Sequence, residues 1–279
     1  MRFATVKSGT ATRFGLVEND AIHLAPDGES LRDNLACDLG AVAARLRKLP
    51  PLPLSQVEYA PVVPDPHHVL CIGLNYQNHR DETKPEDRKP YPEFPVVFMR
   101  YATSLAAHDE SLPIPRVSDV VDYEAELAVI IGKGGRYIPK SEAMDHVAGY
   151  ACFNDISMRD WQMKAEQWGP GKNFPKSGPL GPHLVTPDEI GDIGEARIRM
   201  ILDGEVLQES WLKYLIFDLP TIISYCSNFV ELRPGDVIAT GTPGGVGFMR
   251  KPPILLSPGK IAIVEIDGIG RLENTFHPE

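Results

Sequence analysis

The sequence of 279 residues predicts a β-rich α+β fold. Segments with the pattern of strands outnumber segments with the pattern of helices, and the two kinds do not alternate as a parallel α/β sheet requires. Two Asp-Gly pairs, Asp203–Gly204 and Asp267–Gly268, interrupt apolar runs and predict β-hairpins. Together these observations favour a mixed fold over a dinucleotide-binding sheet.

Residues 1–64 predict a small N-terminal α/β module. Asn19 and Asp20 separate two alternating apolar runs and predict a hairpin turn. Prolines cluster between residues 50 and 66 and predict a stiff, extended linker. We therefore place a domain boundary near residue 64, with a larger domain over 65–279. The predicted elements of the module are strands over 1–7 and 14–25 and a helix over 39–49.

The larger domain is predicted to be mostly strands. Asp218 and Pro220 are typical of a helix start, since Asp caps the first turn and Pro fits inside it. The predicted helices cover 158–168 and 218–229. The predicted strands cover 67–74, 94–101, 125–132, 149–155, 197–208, 236–241 and 261–274.

Composition narrows the class of protein. The formal net charge is −10 and no basic run is present, which disfavours a nucleic-acid partner. No apolar run approaches the roughly 18 to 20 residues that span a bilayer, and the first residues lack the apolar core of a signal peptide. The four cysteines form no C-x-x-C pair. We therefore expect a soluble cytoplasmic protein with reduced thiols and no membrane partner.

Acidic residues mark a candidate metal site. Glu124 and Glu126 are two residues apart at the start of an apolar strand, so their side chains share one face. Asp155 ends another apolar strand. Buried, unpaired carboxylates are very costly, and a hard divalent cation would remove that cost. An oxygen-only site of this kind suits Mg²⁺ or Mn²⁺.

The same residues leave a second interpretation open. Ion pairs with Arg100, Arg159 or Lys172 would also neutralise the acidic side chains. Asp122 shares the strand face of Glu124, so its spacing alone does not exclude it from the site.

The segments "GLNYQNHRDE", "DYEAELAVIIGK", "FNDISMRDWQ", "GPGKNFPKSGPLGP" and "GDVIATGTPGGVG" resemble the fumarylacetoacetate hydrolase family in content and order. The resemblance spans residues 65–279. It implies a mixed β-sandwich roll, usually dimeric, in which Glu124, Glu126 and Asp155 hold Mg²⁺ or Mn²⁺.

The resemblance also implies roles for residues outside the acidic trio. His79 and Glu82 match a dyad on a lid that closes over substrate. Lys172, Gln162 and Thr242 match residues that contact substrate, with Lys172 close to the reacting atoms.

Two further residues are candidates for the substrate pocket. Tyr76 lies between the first strand of the larger domain and His79. Arg159 follows Asp155, although helix packing would explain it equally well. Leu74 stands where some oxaloacetate-handling members carry arginine, which disfavours a small dicarboxylate substrate.

The function that the resemblance implies is hydrolysis of a C–C bond in a 2,4-dioxo acid of the acylpyruvate type. The products would be pyruvate or a related 2-oxo acid and a carboxylic acid, in aromatic or sugar catabolism. An oxaloacetate decarboxylase or a 2-hydroxymuconate-type isomerase on the same metal site is the alternative. A binding protein without activity is a third possibility, disfavoured because a mere binder does not need His79.

Overall fold

A computed structural model describes residues 1–81 and 92–279 of the chain. Glu82 and the rest of the predicted lid up to residue 91 lie outside the described residues. The helices are α1 (Leu31–Asn34), α2 (Leu39–Leu46), α3 (Gln77–Asp81), α4 (Arg159–Gln162), α5 (Gly169–Lys172), α6 (Pro187–Ile190) and α7 (Leu219–Phe229). Short 3₁₀ turns cover Leu54–Gln56, Ala102–Ser104, Lys140–His146, Ile193–Glu195, Leu212–Tyr214 and Gly247–Met249.

The strands carry most of the fold. They are β1 (Arg2–Ser8), β2 (Ala11–Glu18), β3 (Ala21–Leu24), β4 (Pro51–Pro53), β5 (Val69–Gly73), β6 (Val96–Arg100), β7 (Leu105–Ala106), β8 (Ser111–Ile114), β9 (Val121–Asp122), β10 (Ala125–Ile131), β11 (Val147–Asn154), β12 (Ser157–Met158), β13 (Gly178–Val185), β14 (Arg197–Leu202), β15 (Glu205–Trp211), β16 (Val237–Ala239), β17 (Ile261–Ile266) and β18 (Gly270–Pro278). The β-rich α+β prediction is confirmed.

Two main sheets form the body of the protein. The larger has the order β4-β3-β2-β1-β13-β11-β10-β16-β5-β6, and β7 pairs with β13 outside this path. The smaller has the order β15-β14-β17-β18-β8, and β12 pairs with β9 alone. Both Asp-Gly turns join neighbouring strands of the smaller sheet, as predicted.

The central strand β10 is buried on both faces. Leu127 and Val129 point into a core shared with Met200 of the smaller sheet. Ala128 and Ile130 point the other way, into a core shared with the N-terminal strands and α2. This explains why the segment after Glu126 is apolar without alternation, since strands covered on both sides read as continuous apolar runs.

The N-terminal residues extend the larger sheet. Arg2 pairs with Val185 and Phe3 with Leu184, so β1 lies against β13. The predicted hairpin at Asn19 is present, with Asn19 in the left-handed region at φ 53°. Part of the proline-rich segment forms β4 and pairs with β3. Residues 1–64 and 65–279 thus share a sheet, and the boundary at residue 64 stays a prediction.

The helix predicted over 158–168 is wrong beyond Gln162, where α4 ends. The chain turns back at this point, and α5 packs on α4 so closely that a Cβ on Gly171 would lie 2.4 Å from the Gln162 nitrogen. Trp168 instead packs on Gly73 of β5. Tertiary contacts here override local helix propensity. Among the described residues, no helix combines the length and apolar character needed to cross a membrane.

Candidate metal centre and active site

The three predicted metal ligands meet at one end of the β10–β11 pair. Ala125 of β10 pairs with Asn154 of β11. Glu124 immediately precedes this pair and Asp155 immediately follows it, so the antiparallel register puts them side by side. Ligand oxygens of Glu124, Glu126 and Asp155 all lie within 4.8 Å of one another, and all three side chains are buried. We call these residues the acidic trio.

Two members of the trio have cationic partners. Lys172 Nζ lies 2.5 Å from Glu124 Oε2 and also donates to Asp155 Oδ2. Arg159 Nη2 donates to Glu124 Oε1 at 2.6 Å, and Arg100 Nε donates to Asp155 Oδ1 at 2.5 Å. The ion pairs that the sequence left open as an alternative are therefore present for these two carboxylates.

The neighbouring charges determine the protonation states of Glu124 and Lys172. Although burial opposes ionisation, Arg159, Lys172 and His79 hold the pKa of Glu124 far below its ordinary value. Burial likewise disfavours the Lys172 ammonium, but Asp155 and Glu124 raise its pKa above the ordinary value. Lys172 is therefore an ammonium group and Glu124 a carboxylate in this arrangement.

Glu126 differs from its two neighbours. Its Oε2 accepts a hydrogen bond from the Gly241 amide at 2.9 Å, and no cationic side chain in the described parts of the chain forms an ion pair with it. Burial, together with the negative charges of Asp155 and Glu124, raises the pKa of Glu126 well above its ordinary value. A divalent cation would supply the missing positive charge. The donor set, three carboxylates with one uncompensated, therefore fits Mg²⁺ or Mn²⁺.

Tyr76 is buried beside Glu126. Its hydroxyl is inaccessible to solvent and forms no hydrogen bond with any described residue. Burial and, to a lesser degree, the charge of Glu126 raise the pKa of this phenol. A buried hydroxyl without a partner is costly, and a bound ligand would relieve that cost.

Asp122 lies outside the trio and is connected to it through Arg159. Its carboxylate accepts hydrogen bonds from the Gly247 and Phe248 amides and from Arg159 Nε. Arg159 in turn donates to Gln162 Oε1 at 3.0 Å. The guanidinium thus connects Asp122, Glu124 and Gln162.

His79 lies on α3, near enough to the trio to lower the pKa of Glu124. The loop that contains Thr242 packs directly on this helix. The Gly244 amide donates to Asn78 Oδ1 at 3.1 Å, and a Cβ on Gly244 would lie 3.0 Å from the Asn78 carbonyl oxygen. The backbone of this loop therefore fixes the position of α3. Glu82, the predicted partner of His79, lies outside the described residues.

Thr242 is buried next to the trio. The preceding residue, Gly241, donates to Glu126, and the Thr242 hydroxyl accepts from Gln208 Nε2 at 2.8 Å. The sequence pattern does not indicate Gln208, and it indicates Arg100 only as an ion-pair partner. The available signal for Gln208 was a long polar side chain in a predicted strand, two residues before Ser210, which is also buried.

The sequence is similar to that of a known protein family. Residues 68–277 match the family model described as fumarylacetoacetate (FAA) hydrolase C-terminal. The chain is 42% identical over 222 residues to the mitochondrial oxaloacetate tautomerase fahd2 of Xenopus laevis, which covers 79% of this chain and 68% of that protein.

Solved structures agree in fold over the whole chain. The fumarylacetoacetate hydrolase of Exiguobacterium antarcticum superposes with a TM-score of 0.85 at 30% identity, covering 100% of both chains. Maleylpyruvate hydrolase from Sphingobium, in complex with manganese(II) and pyruvate, superposes with a TM-score of 0.81 at 27% identity, covering 100% of this chain and 99% of the other. The family match and these similarities show that the chain belongs to the fumarylacetoacetate hydrolase C-terminal family.

Proposed function

We propose that the protein is a divalent-metal-dependent enzyme that interconverts the keto and enol forms of a 2-oxo acid, with oxaloacetate as the first candidate substrate. The acidic trio carries the proposal, because Glu126 lacks a cationic partner among the described residues while Lys172 bridges the other two carboxylates. The similarity to an oxaloacetate tautomerase favours tautomerisation over the hydrolysis expected from the sequence. It also favours a small dicarboxylate substrate, against the expectation from Leu74.

The acidic trio would hold the cation. When bound, a Mg²⁺ or Mn²⁺ ion polarises a 2-oxo group and stabilises negative charge on its oxygen. Tyr76 can orient such a ligand, because its hydroxyl, which has no hydrogen-bond partner among the described residues, lies beside Glu126 and can donate to an anionic group.

Two side chains next to the trio can transfer protons. Lys172 is an ammonium group and can donate to the 2-oxo oxygen, while an imidazole ring nitrogen can accept a proton. We assign removal of the C3 proton to His79. The electron pair of that C–H bond forms the C2–C3 double bond, and the oxygen gains a proton from Lys172, so no co-reactant is needed.

Hydrolysis of the C3–C4 bond of a 2,4-dioxo acid is the second candidate. Here water bonds to C4, the C3–C4 bond breaks, and C3 gains a proton. The Gln162 amide nitrogen favours this candidate, because Arg159 holds its oxygen and turns the N–H donors toward another acceptor, such as the oxygen on C4. The fold similarity to maleylpyruvate hydrolase supports it as well.

Parallel assays separate the candidates. Metal-free protein is prepared with a chelator, and Mg²⁺ or Mn²⁺ is added back before enol-oxaloacetate or acetylpyruvate. We expect the absorbance of enol-oxaloacetate to fall faster with the metal-loaded protein than in buffer. Without metal, the protein should not accelerate this change. If the protein cleaves acetylpyruvate to acetate and pyruvate and does not accelerate ketonisation, the second candidate replaces the first. Release of CO₂ from oxaloacetate would indicate the decarboxylase.

A matched pair of histidine variants tests the assignment of the base. His79→Ala is expected to lower kcat by about 10²-fold to 10⁴-fold, since that is the usual contribution of a general base. His67→Ala serves as the control because His67 is exposed and close in sequence. Equal activity of the two variants would contradict the assignment to His79.

The remaining expectations stay predictions. A homodimer is expected from the family resemblance, and sedimentation velocity would test it. A cytoplasmic location is also expected, although the Xenopus relative is described as mitochondrial.

A further inference from the structure

We propose that Gln208 is a positioning residue that fixes the Thr242 hydroxyl as a hydrogen-bond donor toward substrate. The site would then require, at that point, a substrate group that accepts hydrogen bonds, such as a carboxylate. This inference rests on the proposed function, because it assumes that a 2-oxo acid binds beside the acidic trio.

The orientation of the Gln208 amide is fixed by the backbone. Gln208 is 1% exposed and lies on β15. Its Oε1 accepts the Ala125 amide N–H at 3.0 Å, and its Nε2 donates to the Pro243 carbonyl at 2.7 Å. A backbone N–H can only donate and a carbonyl can only accept, so the reverse orientation of the side-chain amide would lose both bonds.

This orientation determines the role of the Thr242 hydroxyl. The second Nε2 proton of Gln208 goes to Thr242 Oγ1 at 2.8 Å, so the hydroxyl oxygen is an acceptor in that bond. Its own proton must therefore point elsewhere. In residues 1–81 and 92–279, no acceptor receives a hydrogen bond from Thr242 Oγ1, although the side chain is buried. The hydroxyl is thus an uncommitted donor.

That donor lies at the acidic trio. Gly241, the residue before Thr242, donates its amide to Glu126. Ala125, which Gln208 holds, lies between Glu124 and Glu126 in sequence. The buried side-chain amide of Gln208 therefore links the segment that carries Glu124 and Glu126 with the loop that carries Thr242. A hydrogen bond to a charged acceptor changes affinity by about 10-fold to 100-fold.

Gln208→Glu reverses the polarity of this contact with little change in shape. The new carboxylate oxygen can only accept, so the Thr242 proton turns toward residue 208 and away from substrate. The probe is oxalate, a dicarboxylate that needs no turnover, titrated calorimetrically into the Mn²⁺-loaded protein. The comparison includes Thr242→Ser, Thr242→Val and the double variant Gln208→Glu with Thr242→Val.

We expect Gln208→Glu to weaken oxalate binding by at least about 10-fold when Thr242 is present. In the Thr242→Val background the further loss should be about 3-fold or less, reflecting the added negative charge and the lost hydrogen bond to the Pro243 carbonyl. Thr242→Ser should retain affinity, since it keeps the hydroxyl. Equal losses from Gln208→Glu in both backgrounds would overturn the proposal, because Gln208 would then act independently of Thr242.

Gln208→Met covers the case in which the charged variant does not fold. It removes the donor without adding charge, so the Thr242 hydroxyl can rotate. We expect a loss of about 3-fold that disappears in the Thr242→Val background, and an equal loss in both backgrounds would again overturn the proposal. Wild-type protein that binds Mn²⁺ and oxalate but does not accelerate oxaloacetate ketonisation would refute the proposed reaction and leave this test intact.

Discussion

Lys172 Nζ lies 2.5 Å from Glu124 Oε2, and both side chains are buried. The same ammonium group also donates to Asp155. Lys172 therefore bridges two of the three carboxylates that we assign to the metal centre, and Arg159 and Arg100 each pair with one of them as well. This contact links the stability of the metal-free protein to the residue that we expect to move a proton.

Lys172→Met should affect both activity and stability. Removing one partner of a buried ion pair costs about 3–5 kcal/mol in the free energy of unfolding. Loss of the proton donor should lower kcat by about 10²-fold to 10⁴-fold. Urea unfolding without metal and steady-state kinetics with metal measure the two effects. Lys140→Met is the control, since the ion pair of Lys140 with Asp218 is exposed. Wild-type kcat in Lys172→Met would refute the proton-transfer role.

Arg100→Met should weaken metal binding although Arg100 is not itself one of the proposed metal ligands. Arg100 holds Asp155 Oδ1, and its Nη1 and Nη2 are held by Ser177 Oγ and the Ile156 carbonyl. Loss of a partner that orients a metal ligand typically costs 10-fold to 100-fold in affinity. Titration with Mn²⁺, followed by electron paramagnetic resonance, gives the dissociation constant. Arg100→Lys retains the charge and should lose less; unchanged Mn²⁺ affinity in Arg100→Met would contradict the role.

Glu126 should make the stability of the metal-free protein depend on pH. Its pKa is raised well above the ordinary value of 4.5 in the folded state, by burial and by the neighbouring carboxylates. The unfolded chain releases this proton near the ordinary value while the folded chain retains it. The contribution of Glu126 to the free energy of unfolding is therefore fully present below the ordinary pKa. It decreases as pH rises toward the pKa of the folded state.

Comparison of wild type with Glu126→Gln isolates that contribution. Urea unfolding in chelator, from about pH 5 to about pH 8, should show the wild type losing stability relative to Glu126→Gln as pH rises. Mn²⁺ binding to the wild type should tighten with pH over the same range, because the ion displaces a proton. Parallel stability curves for the two proteins would contradict the raised pKa of Glu126.

Gly244→Ala should reduce activity through the position of α3. The new methyl group would lie 3.0 Å from the Asn78 carbonyl oxygen and 3.3 Å from the His79 nitrogen, so the helix must shift by a few tenths of an ångström. We expect kcat/KM to fall by about 10-fold or more, since small misplacements of catalytic groups are costly. Gly169→Ala is the control, because its nearest neighbouring atom lies 3.9 Å away. Equal kcat/KM for the two variants would show that this packing does not matter.

Local sequence patterns were sufficient for most of the strands. The apolar run of β10, the hairpin at Asn19 and the capped start of α7 at Asp218 each depend on neighbours in the chain. The helix expected over 158–168 failed because α5 folds back onto Gln162, a contact that no local pattern contains. Local preferences decide an element when no distant contact opposes them.

The sequence by itself determined the chemical inventory of the site, namely the spacing of Glu124 and Glu126 and the carboxylate of Asp155 at the end of a strand. Only the tertiary structure decided which cation neutralises which carboxylate. It also placed Asp122, which the spacing put on the same face as Glu124, in the separate strand β9, where it pairs with Arg159 and a loop. It alone brought Gln208 to Thr242, 34 residues further along the chain. The physical reason is that strand periodicity fixes the direction of a side chain, whereas its partner is set by long-range register and burial.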